Sequence, residues 1–371
     1  MKIIFLCGSI EPGRDGVGDY TRRLASELIR QGHNVIIISL NDRFIFEVSD
    51  ALQIDGIISI SVLRIPGIVK TNEKILLVKK WLNDFNPDWI SLQYVPFSFQ
   101  AKGLHFGLVN LLSKIGHGRK WHIMFHELWV GIEAQSSYKH ILWGKLQKIL
   151  IKNLIKRLNP CAIHTQTHIY QKILLDIGIS CKFLELFGNI PKLPLDKKSF
   201  NSVCSGSSIS MVIFGSIHSV GAVESFAKQA AEYSLKNGVK VSLTLIGRTG
   251  PESERWLNAW KSLKLPVKIF AEKTPEFISK TLQESDYGIT TNPLALIQKS
   301  GTVSSMIEHG LKIICVSEKW KYKHLYLPES PYCITEYNKR NFELCLKEKK
   351  NCKEKAGISA ITKQFLQDIN Y

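Results

Sequence analysis

The sequence has 371 residues, too many for one typical domain, and 44% of them are hydrophobic, enough for two cores. A formal net charge of +17 calls for an anionic partner: nucleic acid, anionic lipid or a phosphorylated small molecule. There is no arginine-rich tail and no zinc-finger spacing, which puts nucleic acid last, and no apolar run reaches the ~18 residues of a membrane span.

Residues 1–7 are an apolar run too short for a signal peptide. They lead straight into Gly8-Ser9 and read as a first, buried parallel strand. A glycine-rich loop follows to Tyr20, then a helix over 18–31 that Gly32 ends, then a strand over 34–40. This is a βαβ unit, for which a right-handed parallel sheet is expected. Gly13, Gly16 and Gly18 do not fit the dinucleotide fingerprint, and no G-K-[ST] phosphate loop occurs. The glycines let a ligand approach the backbone; they suit a mobile loop equally well.

The alternation continues with a strand over 59–63, a helix over 72–83, a strand over 89–94, a helix over 103–113 and a strand over 121–125. His126 then stands at a strand's carboxyl end. There it can donate to a phosphate or a sugar hydroxyl, act in acid–base chemistry, or be structural. Residues 139–158 carry Lys139, Lys145, Lys148, Lys152, Lys156 and Arg157 and no acid. Such a helix either lies on an anionic membrane surface or packs on a core with its basic face in water. A strand over 162–165, a helix, and residues 184–191 complete the first half. Residues 192–207, rich in Lys, Pro, Asp, Ser and Asn, read as a linker.

The rhythm restarts with a strand over 210–215, a helix over 222–236 and a strand over 241–247 that ends at Arg248. Next come a helix, a strand over 267–270, a helix to Glu284 and a strand over 287–290. A loop leads to a helix over 302–309 stopped by Gly310, then a strand over 313–316, and finally a helix over 357–369. Lys299-Ser300-Gly301-Thr302 stands where a strand's carboxyl end meets a helix's amino end, the place where open α/β sheets bind ligands. Free amides and the helix dipole favour an anion there, although Ser and Thr are also ordinary helix caps. The cysteines at 7, 161, 181, 204, 315, 333, 345 and 352 form no C-x-x-C pair and read as small buried thiols in a reducing compartment.

In order and spacing these motifs resemble the GT-B glycosyltransferases, in particular the retaining group called glycosyltransferase family 4. The resemblance covers most of the chain. It rests on Gly16-Val17-Gly18-Asp19-Tyr20, Gly32-His33-Asn34-Val35, Met124-Phe125-His126-Glu127 and Leu245-Ile246-Gly247-Arg248. It continues through residues 282–288 into Asn292-Pro293, and through Glu308-His309-Gly310-Leu311-Lys312-Ile313-Ile314. It implies an α/β fold of two tandem Rossmann-like doubly wound domains with an interdomain cleft. The expected parts are an acceptor-side domain over 1–191, a linker over 192–207, a nucleotide-sugar domain over 208–355, and a helix over 356–371 that packs back on the first domain. It also implies transfer of a sugar from a nucleotide sugar to a glycan or lipid-linked acceptor, in the cytoplasm or at the inner face of the membrane. No metal or other cofactor is expected, and no D-x-D motif stands in a suitable loop.

Carried over residue by residue, His126 takes the catalytic position near the donor sugar. Gly16, Gly18, Asp19, Gly215, Ser300, Gly301 and Thr302 take the diphosphate-binding positions. The family's two glutamates, eight residues apart, fall at Ile297 and Ser305, so both carboxylates are absent. The usual Arg and Lys after the first strand of the second half are replaced by Gly215-Ser216-Ile217-His218, which leaves Arg248 and Lys299 to supply positive charge. The alternatives are a non-catalytic binding or partner subunit, and a nucleotide-sugar epimerase.

Overall fold

The computed structural model describes residues 1–194, 208–322, 334–347 and 355–370. Most of the expected linker, together with Cys204, Cys333 and Cys352, lies outside the described residues. The chain divides into two compact units. One comprises Met1–Glu185, Lys321–Leu325 and Ile358–Tyr371; the other comprises Leu186–Trp320 and Tyr326–Gly357.

The first unit opens with β1 (Lys2–Cys7), α1 (Gly16–Arg30), β2 (Asn34–Asp42), β3 (Ser49–Asp55), β4 (Ile58–Pro66), α2 (Thr71–Phe85) and β5 (Trp89–Tyr94). It continues with α3 (Pro96–Phe99), α4 (Leu108–Ile115), β6 (Lys120–Phe125), α5 (Tyr138–Leu158), β7 (Ala162–Thr165), α6 (His168–Leu175) and β8 (Lys182–Phe183). The strands form one sheet in the order β3-β4-β2-β1-β5-β6-β7-β8. Residues 3–7 of β1 are wholly buried, as a parallel strand covered on both faces must be. Each such aliphatic side chain contributes about 1.5–3 kcal/mol. In α1, Tyr20, Leu24, Ala25 and Leu28 fall on the buried face, and the chain leaves the helix through Gly32 at φ +86°.

The expected all-parallel sheet gains one antiparallel edge, the β3–β4 hairpin. Its two turn residues are Gly56 and Ile57, and Gly56 supplies the positive φ, +61°, that tight hairpin turns favour. β3 turns Leu52 and Ile54 outward, 66% and 69% exposed, so its apolar alternation does not mark a core face. α4 also starts later than expected, at Leu108. In α5, Gln147, Leu150, Ile151, Leu154 and Leu158 are buried, whereas Leu142, Leu146 and Ile149 are exposed.

The second unit contains β9 (Ser208–Phe214), α7 (Val223–Asn237), β10 (Lys240–Ile246), α8 (Glu252–Ser262), β11 (Val267–Phe270), α9 (Pro275–Gln283) and β12 (Tyr287–Thr290). After a 3-10 turn over Leu294–Lys299 come α10 (Gly301–Glu308), β13 (Lys312–Cys315), β14 (Ile334–Glu336) and α11 (Phe342–Lys347). Its sheet runs β11-β10-β9-β12-β13-β14, with every described pairing parallel. Trp256, Trp260, Phe226 and Phe342 pack on one face. Val212, Ile246, Ile278, Leu282, Val303 and Met306 pack on the other. Helices on both faces of an open parallel sheet make this unit doubly wound, as the sequence predicts.

The boundary falls earlier than residue 191. Gly188 N–H donates to Glu308 (2.6 Å), Ile190 N–H to Ser305 Oγ (3.2 Å) and Leu193 N–H to Ser279 Oγ (3.1 Å), so this stretch belongs to the second unit. The helix α12 (Ile358–Asn370) belongs to the first unit, where its Phe365 ring lies 6.2 Å from that of Phe5. The expectation of uniformly buried thiols needs correcting: Cys7, Cys315 and Cys345 are buried, but Cys161 is exposed and Cys181 only partly covered.

Candidate functional site

In the second unit, the carboxyl ends of β9, β10 and β12 lie side by side and carry the expected ligand-facing residues. After β9, Gly215 turns at φ +83°, and a Cβ there would lie 2.6 Å from Thr302 Cγ2. Only a glycine lets the β9 turn come this close to the first turn of α10. Beyond it, His218 N–H donates to Thr291 Oγ1 (2.8 Å), and its Nε2 lies 3.1 Å from Asn292 Oδ1. Asn292 in turn donates to Ser300 Oγ (3.3 Å). His218 therefore stands inside a polar cluster, at the place where the resemblance expects a basic pair.

Ser300 caps α10: its Oγ accepts Val303 N–H (3.3 Å) and lies 3.1 Å from Thr302 Oγ1. The Gly301 and Thr302 amides at the helix start have no intrahelical acceptor by position, so they can meet an anion. A Cβ on Gly301 would lie 2.9 Å from Asn189 Nδ2, so this turn is also closely covered. After β10, Arg248 Nε donates to Glu272 at 2.5 Å, in a pair that remains partly exposed. Lys299 closes the 3-10 turn just before the cap.

The two positions at which the resemblance expects glutamates carry packing residues. Ile297 is 4% exposed and lies in the core with Ile246, Val303 and Met306. Ser305 is fully buried; it donates to Gly301 O (2.8 Å) and accepts Ile190 N–H. One turn further on, Glu308 is held by the Gly188 amide.

In the first unit, the α1 amino terminus is already occupied by a carboxylate. Asp15 Oδ1 accepts the amides of Val17 and Gly18 (both 3.0 Å), and its Oδ2 accepts the Ser9 hydroxyl (2.5 Å). Gly18 is needed for fit, since a Cβ would lie 2.9 Å from Ser9 O, whereas Gly16 faces open space. Asp19 accepts Gly13 N–H (2.9 Å) and pairs with Arg22. Burial raises its carboxyl pKa against the lowering effect of Arg22. The Arg64 bonds to Glu11 (2.6 Å) and Asp42 (2.8 Å) tie the loop further. This loop is held in place at several points. An anion approaching the Gly18 amide would meet Asp15 first.

His126, just past β6, is 5% exposed. Its Nε2 lies 2.8 Å from Gln93 Oε1 and its Nδ1 3.1 Å from Gln166 Oε1. The Tyr20 ring packs edge-on against it at 4.9 Å. Both ring nitrogens thus face glutamine amides, so His126 as placed presents a held imidazole rather than an open base. The sequence does not single out Gln93 or Gln166, and it marks Asn292 only as part of the resemblance. The available signal was a polar residue at or just past a strand's carboxyl end.

Among the described residues no group of three or more His, Cys, Asp or Glu side chains could hold a metal ion. Among them no helix is long and apolar enough to cross a membrane.

No protein-family model matches the sequence, and no curated protein matches it significantly. Solved structures do match along its whole length. The Anabaena Alr3699/HepE structure in complex with UDP and glucose has a TM-score of 0.62 at 12% identity, covering 100% of this chain and 99% of that one. The catalytic domain of Arabidopsis thaliana starch synthase IV, bound to ADP and acarbose, scores 0.57 at 11% identity, covering 100% and 99%. The UDP-GlcNAc 2-epimerase of Methanocaldococcus jannaschii scores 0.55 at 12% identity, covering 100% of both chains. At these identities the likeness shows the fold. The chain has the two-domain GT-B architecture of tandem Rossmann-like, doubly wound α/β units that these proteins share.

Proposed function

We propose that the protein is a nucleotide-sugar-dependent glycosyltransferase that retains anomeric configuration and works without a metal, in the synthesis of a polysaccharide or surface glycan. The observation that carries this reading is the cluster at the strand ends of the second unit. Gly215 closes on Thr302 there, Arg248 follows the end of the neighbouring strand β10, and Lys299-Ser300-Gly301 leads from the 3-10 turn after β12 into α10. Glycosyl transfer builds negative charge on the departing diphosphate. Amides and cations fixed in advance around that charge lower the barrier. Arg248 and Lys299 supply the cations, the α10 amides supply the N–H groups, and Gly215 lets the β9 turn close on the start of α10. His126 and the Gly16–Asp19 loop line the acceptor side, with His126 as an orienting wall beside the transferred sugar. The HepE and starch synthase structures, bound to UDP and ADP, support a nucleotide as ligand of this fold.

The test is a thermal-shift screen against UDP-, GDP-, ADP- and dTDP-sugars and the bare nucleotides. A ligand that binds only the folded state raises the Tm, by about 2.7 kcal/mol of added stability at a hundred times its Kd. No shift with any of them, at concentrations that move a control transferase, defeats the proposal and favours a non-catalytic binding or partner subunit.

A second reading, a nucleotide-sugar epimerase, is favoured by the likeness in fold to the UDP-GlcNAc 2-epimerase of Methanocaldococcus jannaschii along the whole chain. Interconversion of a nucleotide sugar without any acceptor would establish it.

We also propose peripheral contact with the anionic inner face of the membrane through α5. Leu142, Leu146 and Ile149 are exposed on this helix, which carries six Lys/Arg and no acid. Apolar residues in the interface and lysines on anionic headgroups is how such helices bind. Replacing Leu142, Leu146 and Ile149 with serine should abolish co-sedimentation with anionic vesicles; unchanged sedimentation ends the idea.

A further inference from the structure

A continuous chain of hydrogen bonds crosses the interior of the first unit from α12 to His126. Asp368 Oδ2 lies 3.0 Å from His164 Nε2, and His164 Nδ1 lies 2.9 Å from His122 Nε2. His122 Nδ1 lies 2.7 Å from Ser91 Oγ, Gln93 Nε2 donates to Ser91 Oγ at 2.8 Å, and Gln93 Oε1 meets His126 Nε2 at 2.8 Å. Ser91, Gln93, His122 and His164 are each at most 1% exposed, and the Phe365 ring covers both histidines of the chain. Register accounts for the line-up: Ser91 of β5 pairs with His122 of β6, and Met124 of β6 with His164 of β7, so these polar residues share one face of the sheet.

Each proton in the chain can be assigned. A carboxylate can only accept. Burial alone would raise the Asp368 pKa, but Lys182 and His164 outweigh it and hold the group below its ordinary value, so it is ionised. His164 Nε2 therefore donates. Burial lowers the pKa of His164, and lowers that of His122 well below the usual imidazole range, so both are neutral with one N–H each. Hence His122 Nε2 donates to His164 Nδ1, and the Ser91 hydroxyl donates to His122 Nδ1. Ser91 Oγ is left to accept from Gln93 Nε2, which turns the amide oxygen of Gln93 towards His126. His126 Nε2 must then carry the proton, and in the neutral ring Nδ1 accepts. The Gln166 amide meets that need by presenting Nε2, which in the opposite orientation is buried without a partner. Reversing the chain would need a donor at Asp368.

We propose that Asp368 is a positioning residue for His126: through this chain it selects which ring nitrogen of His126 carries the proton. This deepens the role given to His126 above, but its test uses no substrate, so it stands or falls separately from the proposed reaction.

The experiment is a ring-nitrogen NMR spectrum of the 15N-labelled full-length protein at neutral pH. His122, His164 and His126 are expected as neutral Nε2–H tautomers. Asp368→Ala removes the group that fixes the direction, so all three rings, His126 included, should show both tautomers. Lys182→Ala keeps the carboxylate and should leave His126 unmoved. Ser91→Ala cuts the chain midway: His126 should become mixed while His164 stays Nε2–H, which gives a second variant should Asp368→Ala fail to fold. A purely structural Asp368 would lower the Tm and leave the His126 signals unchanged. That result overturns the proposal, as does a cationic or Nδ1–H His126 in the unaltered protein.

Discussion

Gly215 and Thr302 meet so closely that a Cβ on Gly215 would fall 2.6 Å from Thr302 Cγ2, at a residue whose φ is +83°. This contact ties the end of β9 to the start of α10. Gly215→Ala should destabilise the second unit by about 1–3 kcal/mol, combining backbone strain with the clash. Thr302→Ser removes the offending methyl group, so the double variant should lose less than the sum of the two singles. A double-mutant cycle from urea melts measures this coupling, and strict additivity would show that the two residues do not press on each other.

Arg248→Ala and Lys299→Ala together should remove the nucleotide-induced rise in Tm. Their effect on the unliganded protein should be small, because the Arg248–Glu272 pair is partly exposed and such pairs contribute about 0–1 kcal/mol. Calorimetric titration with the nucleotide found in the screen gives the answer, and an unchanged Kd would refute the assignment.

Ile297→Glu recreates a carboxylate where the resemblance expects one, but inside a core. It should cost roughly 3–5 kcal/mol, the range for an uncompensated buried charge, against about 0.5–1.5 kcal/mol for Ile297→Val. Denaturant unfolding compares the two. Equal stabilities would mean that the 294–299 turn opens readily to water.

Asp15→Ala should cost about 0.5–2 kcal/mol, since Asp15 caps α1 through the Val17 and Gly18 amides. Asp15→Asn keeps an accepting oxygen and should lose less. Thermal melts of the two variants rank them, and the reverse order would deny the cap.

His122 and His164 are held below the ordinary imidazole pKa by burial. The unfolded chain therefore binds protons first as pH falls, near the ordinary imidazole value of 6.5. The stability of the first unit should be full above that pH and should decline below it until the folded-state pKa values are reached. Each histidine contributes a slope of about 1.4 kcal/mol per pH unit within its window. The same melts on His164→Gln should show a shallower decline between neutral and mildly acid pH.

The strands were the most legible part of the chain. Residues 89–94 and 287–290 read from the sequence with the bounds they have in the structure, because covered strands are short apolar runs between turn residues; 267–270 matches too, although β11 is an edge strand with Ile269 exposed. β3 escaped because it is an edge strand with its apolar side chains in water. The 3-10 turn escaped because Leu294–Lys299 has too few residues for a period. Arg248 was legible as a strand-end residue, and Lys299 and Gly301 as residues at the start of a helix. The chain through Ser91, His122, His164 and Asp368 was not, since His164 and Asp368 meet across a separation of 204 residues and only strand register aligns the rest. In sequence, Ser91 and Gln93 are simply two polar residues in an apolar strand.

The inclusion of α12 in the first unit has a consequence for biosynthesis. Phe5, His122 and His164 await partners that the ribosome adds about 170 residues after Glu185. At typical elongation rates that is a delay on the order of ten to thirty seconds. During that interval the second unit emerges complete, while the unit begun first still shows an uncovered aromatic face. Nascent chains stalled before Ile358 should therefore be cleaved by protease in the earlier-made unit and resist it in the later one. Order of synthesis and order of folding would then be opposite.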